Sequence, residues 1–145
     1  MIRRWKNVAL AFLVAGVTAC GKKEVTEPTV PVCVVSVSAL AFGNVDVGQT
    51  KDLTFRVENA GGGGLWIFPR TCAGDSVGCE TCPDFSVLNE GSYILARGGA
   101  ATFTMRFAPS SAGVHRCFVD FIDDCPHIAL DGTGVVSVRN EIRNQ

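Results

Sequence analysis

The sequence lacks a hydrophobic run long enough to cross a bilayer as a helix. Its apolar N-terminal stretch, Val8 to Val17, has ten residues, whereas a membrane-spanning helix takes about twenty. The stretch follows Arg3, Arg4 and Lys6. A short apolar segment behind a positive segment is the pattern of a signal peptide. We therefore predict that residues 1–19 are a cleaved signal peptide and that the chain is exported.

The sequence also lacks an excess of basic residues. It has 13 Lys and Arg against 14 Asp and Glu, with a formal net charge of −1. Residues 1–19 contain bases and no acid, so the chain without them is more acidic still. Binding to nucleic acid, or to anionic lipid through a polybasic segment, requires clustered Lys and Arg. We therefore expect neither nucleic acid nor a polybasic lipid site.

No segment after residue 20 shows the 3.6-residue period of an amphipathic helix. Apolar and polar residues instead alternate with period two, most clearly in residues 51–59, 101–107 and 116–121, which is typical of half-buried strands. Shorter strands are expected at residues 34–38, 65–68, 85–88, 92–95 and 128–130. Turn signals separate them, including Asp131–Gly134. This predicts an all-β, Ig-like antiparallel β-sandwich of about seven to eight strands over residues 33–136, with a C-terminal tail at 137–145.

Patterns of catalytic and phosphate-binding sites are missing as well. Gly61–Gly64 is not followed by the Lys and helix of a phosphate-binding loop. His115 and His127 have no Ser or acid at a recognisable spacing, and there is no nucleophile-elbow string. The acidic residues Asp120, Asp123 and Asp124 lack calcium-loop spacing, which favours a solvated turn. We expect no catalytic residue, no cofactor and no metal, and hence a protein that is not an enzyme.

A short motif ends the predicted signal peptide. Val17-Thr18-Ala19-Cys20 resembles the lipobox of bacterial lipoproteins, in which a small residue precedes the Cys that becomes lipid-modified. The resemblance implies cleavage before Cys20, lipid on its sulfur and acylation of its new N-terminus, so the partner is a lipid bilayer. Gly21 follows where Asp would retain the protein, which implies the outer membrane of a two-membrane organism, or otherwise the outer face of the cell membrane. Residues 20–32 are charged and contain proline, which predicts an extended linker.

Three strings in the body of the chain resemble ASH/Hydin-type and choice-of-anchor D Ig-like domains. They are Leu40 to Thr50, with Asn59-Ala60-Gly61 after it, then Phe107 to Gly113, and finally Leu130 to Gly134. They occur in the family's order and span most of residues 34–135. The resemblance implies an Ig-like fold that serves as a scaffolding or binding module. The stretch Arg70–Pro83 departs from the family, because it is longer and richer in Cys.

These strings also have plain physical uses. Gly43 lets the chain kink where a side chain would clash, and Pro109 suits a corner because it fixes φ and donates no hydrogen bond. Phe42, Phe107 and Leu130 are expected to be wedges of the core. Trp66, within a predicted strand, is most simply a core residue between the sheets, and if it were exposed it could anchor a partner.

Apart from Cys20, the chain has an even number of cysteines, and in an exported protein this predicts disulfides. They are Cys33, Cys72, Cys79, Cys82, Cys117 and Cys125. Many pairings are possible, and the sequence alone does not decide between them. Sandwich topology favours Cys33–Cys125 at one end of the strands. Cys72–Cys79 would close a local loop, and Cys82–Cys117 would remain.

The same cysteines allow a second interpretation. Cys72, Cys79 and Cys82, with His115 or His127, are zinc-type ligands, and a CxxC spacing also suits thiol-redox chemistry. However, no second CxxC or His pair stands at knuckle spacing, and no thioredoxin-like βαβ pattern surrounds the first. A periplasmic metal-binding or thiol-redox protein is therefore the alternative.

The function that these features favour is a membrane-anchored, non-enzymatic recognition or structural module of the cell envelope. We expect it to bind a protein or a glycan through its loop ends or edge strands. The candidate binding loop is Arg70 to Pro83, because a loop stapled by disulfides loses little entropy on binding. The alternative is that this stretch is only structural and replaces core that a small domain lacks.

Overall fold

The computed structural model describes residues 29–73, 82–121 and 124–137. The predicted signal peptide, the lipidation site Cys20 and most of the linker lie outside these ranges, as do Cys79 and residues 138–145 of the predicted tail. Every regular element within the described ranges is a β-strand, so the all-β prediction is confirmed. No helix in these ranges is long and apolar enough to cross a membrane.

The strands outnumber the seven to eight that the period-two pattern predicts. In chain order they are β1 Cys33–Val35, β2 Ala39–Asp46, β3 Lys51–Asn59, β4 Leu65–Ile67, β5 Arg70–Cys72, β6 Phe85–Val87, β7 Tyr93–Leu95, β8 Ala100–Phe107, β9 Gly113–Asp120 and β10 Ile128–Val135. The pattern misses β2 because its outward residues are small rather than polar. It misses β5 because that strand lies inside the segment predicted to be an insertion.

Two four-stranded sheets form the sandwich. Their strand orders are β1-β3-β8-β6 and β2-β10-β9-β5, and β4 and β7 form a separate two-stranded sheet. All pairs among the described strands are antiparallel except β2 with β10, which is parallel. The predicted antiparallel Ig-like sandwich is therefore confirmed, with one parallel pair added. Only residues 36–38 separate β1 from β2. The chain therefore changes sheet there without reversing direction, and β2 reaches β10 running the same way.

Strand β2 contains a bulge at Gly43. The pairing register shifts there, because Asp131 lies opposite Ala41 whereas Gly132 lies opposite Gly43. Gly43 has a φ of 66°, in the left-handed region that side-chain-bearing residues rarely adopt. Phe42, which has no residue opposite it in β10, is thus the extra residue of a β-bulge, and the predicted kink at Gly43 lies directly after it.

Strand β10 runs straight through the segment predicted to be a turn. Asp131–Gly134 is part of Ile128–Val135, so the turn prediction is wrong. The glycines are there for close packing. A Cβ on Gly132 would lie 2.5 Å from the Phe107 ring, and one on Gly134 would overlap the Ser111 carbonyl. The segments Phe107 to Gly113 and Leu130 to Gly134, which carry two of the family-like strings, therefore pack directly against each other.

The core lies between the two sheets and contains two groups of aromatic rings. In the first group ring centroids lie 4.7–5.6 Å apart, and its members are Phe42, Phe85 and Phe107. The second group has spacings of 5.2–6.2 Å, and its members are Phe55, Phe103, Phe121 and Tyr93. The three predicted wedges, Phe42, Phe107 and Leu130, are all buried.

The last residues of the predicted linker are attached to the domain. The backbone N–H of Ala60 donates to the Val32 carbonyl at 2.8 Å, and that of Gly62 donates to the Val30 carbonyl at 2.9 Å. A Cβ on Gly61 would overlap the backbone of Val30. The chain thus joins the sandwich at Val30, before the predicted boundary at residue 33.

Candidate functional site

Two disulfides link the elements of the sandwich. Cys33 is bonded to Cys125, with Cα atoms 5.1 Å apart, and Cys82 is bonded to Cys117, with Cα atoms 6.3 Å apart. Both are pairs that the sequence analysis favoured. Cys72 is also disulfide-bonded. The predicted pair Cys72–Cys79 involves a residue outside the described ranges.

The bonded state of these cysteines bears on the zinc and redox alternative. That alternative needs thiolates at Cys72, Cys79 and Cys82, because the thiolate is both the metal ligand and the nucleophile. Cys82 is bonded to Cys117, and Cys72 is in a disulfide too. Among the described residues, no group of three or more His, Cys, Asp or Glu side chains could hold a metal ion.

One end of the sandwich is organised by the buried side chain of Asn59. Its Oδ1 accepts from the N–H of Val32 at 3.2 Å and from that of Gly61 at 3.0 Å, and its Nδ2 donates to the carbonyls of Gly63 at 3.0 Å and Leu95 at 2.9 Å. A fully buried amide needs all these partners, since an unsatisfied polar group is costly. Asn59 therefore joins the incoming chain, the glycine segment and β7.

We call this region the Asn59 end. It comprises residues 29–32, the Cys33–Cys125 disulfide, Asn59–Gly64 and the start of β8. In the sequence, Asn59 is distinguished only as part of the Asn59-Ala60-Gly61 string, which predicts no role for it. The signal that could have found it was an Asn at the end of a period-two strand, directly before a run of glycines.

The opposite end is organised by Asp84. Its carboxylate accepts from the N–H of Ser110 at 2.8 Å and contacts Nδ1 of His115 at 2.8 Å. Its own carbonyl accepts from the N–H of Ala108 at 2.8 Å. We call this region the Pro109 end. It comprises Val47–Lys51, Asp84, Ala108–His115 and the end of β10.

The charge state of Asp84 follows from these contacts. Burial alone would raise the pKa of its carboxyl group. The hydrogen bond from Ser110 and the charge and hydrogen bond of His115 act in the other direction and outweigh burial, so the pKa of Asp84 is lowered. The side chains of His115 and Asp84 are only 14% and 12% exposed. Asp84 therefore holds the corner together as a carboxylate.

The pair Asp84–His115 does not form a nucleophile-activating triad. The second ring nitrogen of His115, Nε2, lies 3.0 Å from the backbone carbonyl of Ser111 rather than from a hydroxyl. In a triad that nitrogen accepts the proton of the nucleophile. Sequence spacing could not reveal the Asp84 contact, because residues far apart in the chain form it. The contact fastens β9 to the segment before β6.

Asp120 lies in a strand, as the period-two pattern of residues 116–121 predicts, but its side chain is not solvated as expected for the acidic cluster. It is the last residue of β9, and its side chain is 18% exposed. One oxygen accepts from the Arg70 guanidinium at 2.6 Å, and the other contacts Nε2 of His127 at 2.9 Å. Asp124 is exposed, as expected, and Asp123 lies outside the described residues. Asp120 thus anchors β5 to β9.

Trp66 is not between the sheets. In β4 the flanking Leu65 and Ile67 are buried, whereas Trp66 points outward and is 51% exposed. This corrects the prediction of a core tryptophan. The period-two alternation of Leu65, Trp66 and Ile67 already carried this signal, since neighbours in a strand face opposite sides.

The candidate binding loop Arg70–Pro83 is a strand at its start. Arg70–Cys72 is β5, which pairs with β9, and residues 74–81 lie outside the described ranges. Both flanks are fixed. Arg70 is bound by Asp120, Cys72 is buried and disulfide-bonded, and Cys82 is bonded to Cys117.

An open pocket of about 410 Å³ lies at the Asn59 end. Its lining is largely apolar and consists of Val30, Pro31, Cys33, Leu65 and Asp124. A single carboxylate among apolar side chains offers no set of converging polar groups. The pocket marks the crevice where the incoming chain lies beside β4.

The two four-stranded sheets form an Ig-like sandwich with one parallel strand pair, β2–β10. At one corner, glycines of β10 pack closely against Phe107 and Ser111. The structure is similar to the ASH/PapD-like domain 7 of human CEP192, at 17% identity over 91% of this chain and 99% of that chain, with a TM-score of 0.56. The expected ASH-like Ig fold is therefore confirmed. At this identity the likeness concerns the fold alone.

Two further solved structures share the architecture. The E. coli chaperone DraB matches at 8% identity over 72% of this chain and 55% of that chain, with a TM-score of 0.53. A family 123 glycoside hydrolase from Clostridium perfringens matches at 6% identity over 70% of this chain but only 23% of that chain, with a TM-score of 0.51. No protein-family model matches the chain, and no curated protein sequence does.

Proposed function

We propose that this protein is a membrane-anchored, non-enzymatic recognition or structural module of the cell envelope. In this proposal it is exported, held by acylated Cys20, and binds a protein or a glycan. The observation that carries the proposal is the pair of disulfides Cys33–Cys125 and Cys82–Cys117. Such bonds persist outside the reducing cytosol, which agrees with the signal peptide and lipobox-like string before them.

The lipid anchor is supported by the order of the N-terminal features. A positive segment, a short apolar segment and a small-residue string ending in Cys20 follow one another within the first twenty residues. The acyl chains expected there would anchor the protein stably, whereas a single chain binds only marginally. The proposed location is the outer membrane of a two-membrane organism, or otherwise the outer face of the cell membrane.

A non-enzymatic role is supported by what the polar side chains already do. His115 is engaged by Asp84 and by a backbone carbonyl, and His127 contacts Asp120, which also binds Arg70. These contacts fasten strands and corners. The likeness to a glycoside hydrolase covers 23% of that enzyme's chain, so it concerns a part of that enzyme with this fold.

The metal or redox alternative is disfavoured by the disulfides. A site that uses Cys72, Cys79 and Cys82 would require breaking the Cys82–Cys117 bond and the bond at Cys72. Cys72, Cys82 and Cys117 are all buried in the sandwich. A structural role for these cysteines is therefore the proposal that fits the observed bonding.

The candidate recognition element is the loop Arg70 to Pro83. Its two flanks are fixed by an ion pair and by disulfides, and a loop with fixed ends loses less conformational entropy on binding. The loop ends and the short edge strands β5 and β6 are the surfaces through which this sandwich would contact a protein or a glycan.

The anchor is tested by replacing Cys20. We expect Cys20→Ser to move the protein from the membrane fraction to the soluble fraction and to remove the mass of the acyl groups. Thr18→Ser keeps the small-residue string and serves as the control, which should remain acylated. Membrane sedimentation of the Cys20→Ser protein at the level of the control would contradict the proposal.

The recognition element is tested by replacing residues 74–78 with a neutral linker while every Cys is kept. The variant should fold normally and lose crosslinks to the envelope component that the intact protein reproducibly contacts. Glu90→Gln, an exposed change on another loop, is the matched control. If crosslinking to that component were unchanged in the loop variant, binding would have to occur elsewhere on the sandwich.

A further inference from the structure

The two-stranded sheet β4–β7 exposes a pair of large apolar side chains. Trp66 is 51% exposed and Ile94 is 77% exposed, and the two residues lie directly opposite each other across the pair. Side chains in such positions are neighbours on one face of a sheet. We call Trp66 and Ile94 the Trp66 patch.

The incoming chain passes close to this patch. The Val30 carbonyl accepts from the N–H of Gly62 at 2.9 Å. Two residues further on, a Cβ on Gly64 would lie 3.2 Å from Cγ2 of Ile94. Val30 itself is 63% exposed. The Trp66 patch therefore adjoins the place where the polypeptide enters the domain.

The chain between the lipobox cysteine and this entry point is short. Cys20 and Thr29 are nine residues apart. Such a segment spans at most about 30 Å when fully extended, and its average span as a flexible chain is about 17 Å. An acylated Cys20 would therefore hold the Trp66 patch close to the lipid surface at all times, at a high effective concentration.

We propose that Trp66 and Ile94 insert into the interfacial layer of the membrane that holds acylated Cys20, with the Asn59 end facing the bilayer. This inference rests on the lipid anchoring proposed above. Tryptophan favours the membrane interface, because its ring is apolar and its N–H is polar. The acyl chains supply the affinity, and the Trp66 patch sets the orientation of the domain.

A lipid surface fits the Trp66 patch better than a protein partner does. A stable protein interface buries at least about 1,000 Å² in total, whereas this patch consists of two side chains on a pair of three-residue strands. Shallow insertion of a few apolar side chains is sufficient for a domain that is already tethered, because the tether removes the translational cost of a second contact.

The chain provides its own probe for this contact. It has two tryptophans, Trp5 and Trp66, and the predicted cleavage before Cys20 removes Trp5. The fluorescence of the mature acylated protein therefore reports on Trp66 alone. In phosphatidylethanolamine–phosphatidylglycerol vesicles we expect a blue-shifted emission, quenching by brominated lipid and at least a two-fold reduction in quenching by acrylamide, relative to a soluble Cys20→Ser protein produced without residues 1–19, which also lacks Trp5.

A variant pair tests whether the patch sets the orientation. Ile94→Ser keeps the fluorescent probe and should reduce quenching by brominated lipid, while the protein stays vesicle-bound through its acyl chains. Val114→Ser, at a residue 61% exposed on β9 near the opposite end, should leave quenching unchanged. Equal quenching in both variants would overturn the inference, and the thermal midpoint of each variant verifies that it is folded.

The outcomes separate this inference from the proposal on which it rests. If the protein carries no acyl mass and does not bind vesicles, the anchoring proposal fails and this inference fails with it. If it is acylated and bound but Trp66 remains as accessible to acrylamide as in solution, only the orientation is wrong. Protection of Trp66 that rises with protein concentration in the soluble Cys20→Ser protein would assign the patch to a second copy instead.

Discussion

The two ends of the sandwich are held together by different chemistry. At the Asn59 end, a neutral amide with four hydrogen bonds and the Cys33–Cys125 disulfide join the incoming chain to the sheets. At the Pro109 end, the Asp84–His115 contact and the packing of Phe107 against Gly132 hold the corner. The Asn59 amide and the disulfide contain no ionisable group, whereas Asp84 and His115 both have ionisable side chains.

This difference indicates which conditions and substitutions would destabilise each end. The Asn59 end should resist acid but respond to a reducing agent. The Pro109 end should respond to acid and to any added side-chain volume. An end that carries a tether benefits from covalent and neutral links, because these are insensitive to salt and to the charge of a nearby surface.

Removing the Cys33–Cys125 bond should have the largest effect. The bond closes 92 residues, against 35 for Cys82–Cys117. On the chain-entropy account, replacing both cysteines of the longer loop by Ser lowers the free energy of unfolding by about 4.6 kcal/mol, against about 3.8 for the shorter one. Denaturant unfolding of the two double variants measures this. A larger loss for Cys82–Cys117 would mean that packing around its buried sulfurs outweighs loop length.

The next largest effect is expected for Asn59→Ala. It removes the partner of the Val32 and Gly61 N–H groups and of the Gly63 and Leu95 carbonyls, and the bonds to Gly61 and Leu95 are buried. The cost should be about 3 kcal/mol, because unsatisfied buried groups carry the full penalty of desolvation. The measurement is denaturant unfolding, together with amide exchange at residues 61 and 32.

Asn89→Ala is the matched control for Asn59. The Asn89 side chain also bridges backbone groups, donating to the Thr102 carbonyl at 2.9 Å in an exposed bond and accepting from the Thr104 N–H at 2.8 Å in a partly buried one. Water can replace these bonds, so a loss of about 1 kcal/mol is expected. If both variants lost the same free energy of unfolding, burial would not explain the contribution of Asn59.

At the Pro109 end, Gly132→Ala should cost about 2 kcal/mol through overpacking. The added methyl group would lie 2.5 Å from the Phe107 ring, so either the ring or β10 must shift. Thr133→Ala, at the adjacent residue of the same strand, is the control and should change stability by less than about 0.5 kcal/mol. Thermal unfolding of both variants compares them, and a Gly132→Ala protein as stable as the control would contradict the close contact.

The smallest expected effect is that of pH on the Pro109 end. The pKa of Asp84 in the folded state lies below the ordinary value of 3.8. Its carboxylate therefore adds stability at pH values above the ordinary pKa, and this contribution is lost as pH falls through the lowered one. Asp84→Asn should cost about 1 kcal/mol at neutral pH and should flatten the stability profile below about pH 4.

Two further variants sharpen the pH comparison. Ser110 donates to Asp84 through its backbone N–H and through its side chain, so Ser110→Ala should weaken the acid dependence without abolishing it, because the backbone bond remains. Asn59→Ala should lower stability equally at neutral and at acid pH. If the Asp84→Asn profile falls below pH 4 as steeply as that of the unchanged protein, other carboxylates determine the acid response.

The period-two pattern predicted most strands, because half-buried strands must alternate apolar and polar residues. It failed where small residues replaced polar ones. The outward Ala39, Ala41 and Gly43 of β2 gave no alternation, and the glycines of β10 looked like a turn although they admit the Phe107 ring. Local sequence cannot distinguish a glycine needed for a turn from one needed for a contact with a residue far along the chain.

The candidate site residues also include some that the sequence could place and some that it could not. The pair Cys33–Cys125 could be favoured from strand order, because order fixes which strand ends meet, whereas Cys82–Cys117 was the pair that remained. Asp84 with His115 could not be anticipated, because the contact joins β9 to the segment before β6, which is far away in the sequence. Trp66 was misplaced because its residue type was weighed above the alternation of its own strand, in which Leu65 and Ile67 take the inward positions.

The Cys33–Cys125 bond also determines how the domain would carry mechanical load. A pull on the tether first reaches the hydrogen bonds between residues 30–32 and 60–62, and the next residue along the chain is Cys33. From there tension passes through the sulfur atoms to Cys125, just before β10. The 92-residue loop between the two cysteines is therefore bypassed, so force between the tether and the C-terminal strand cannot extend β1 through β9.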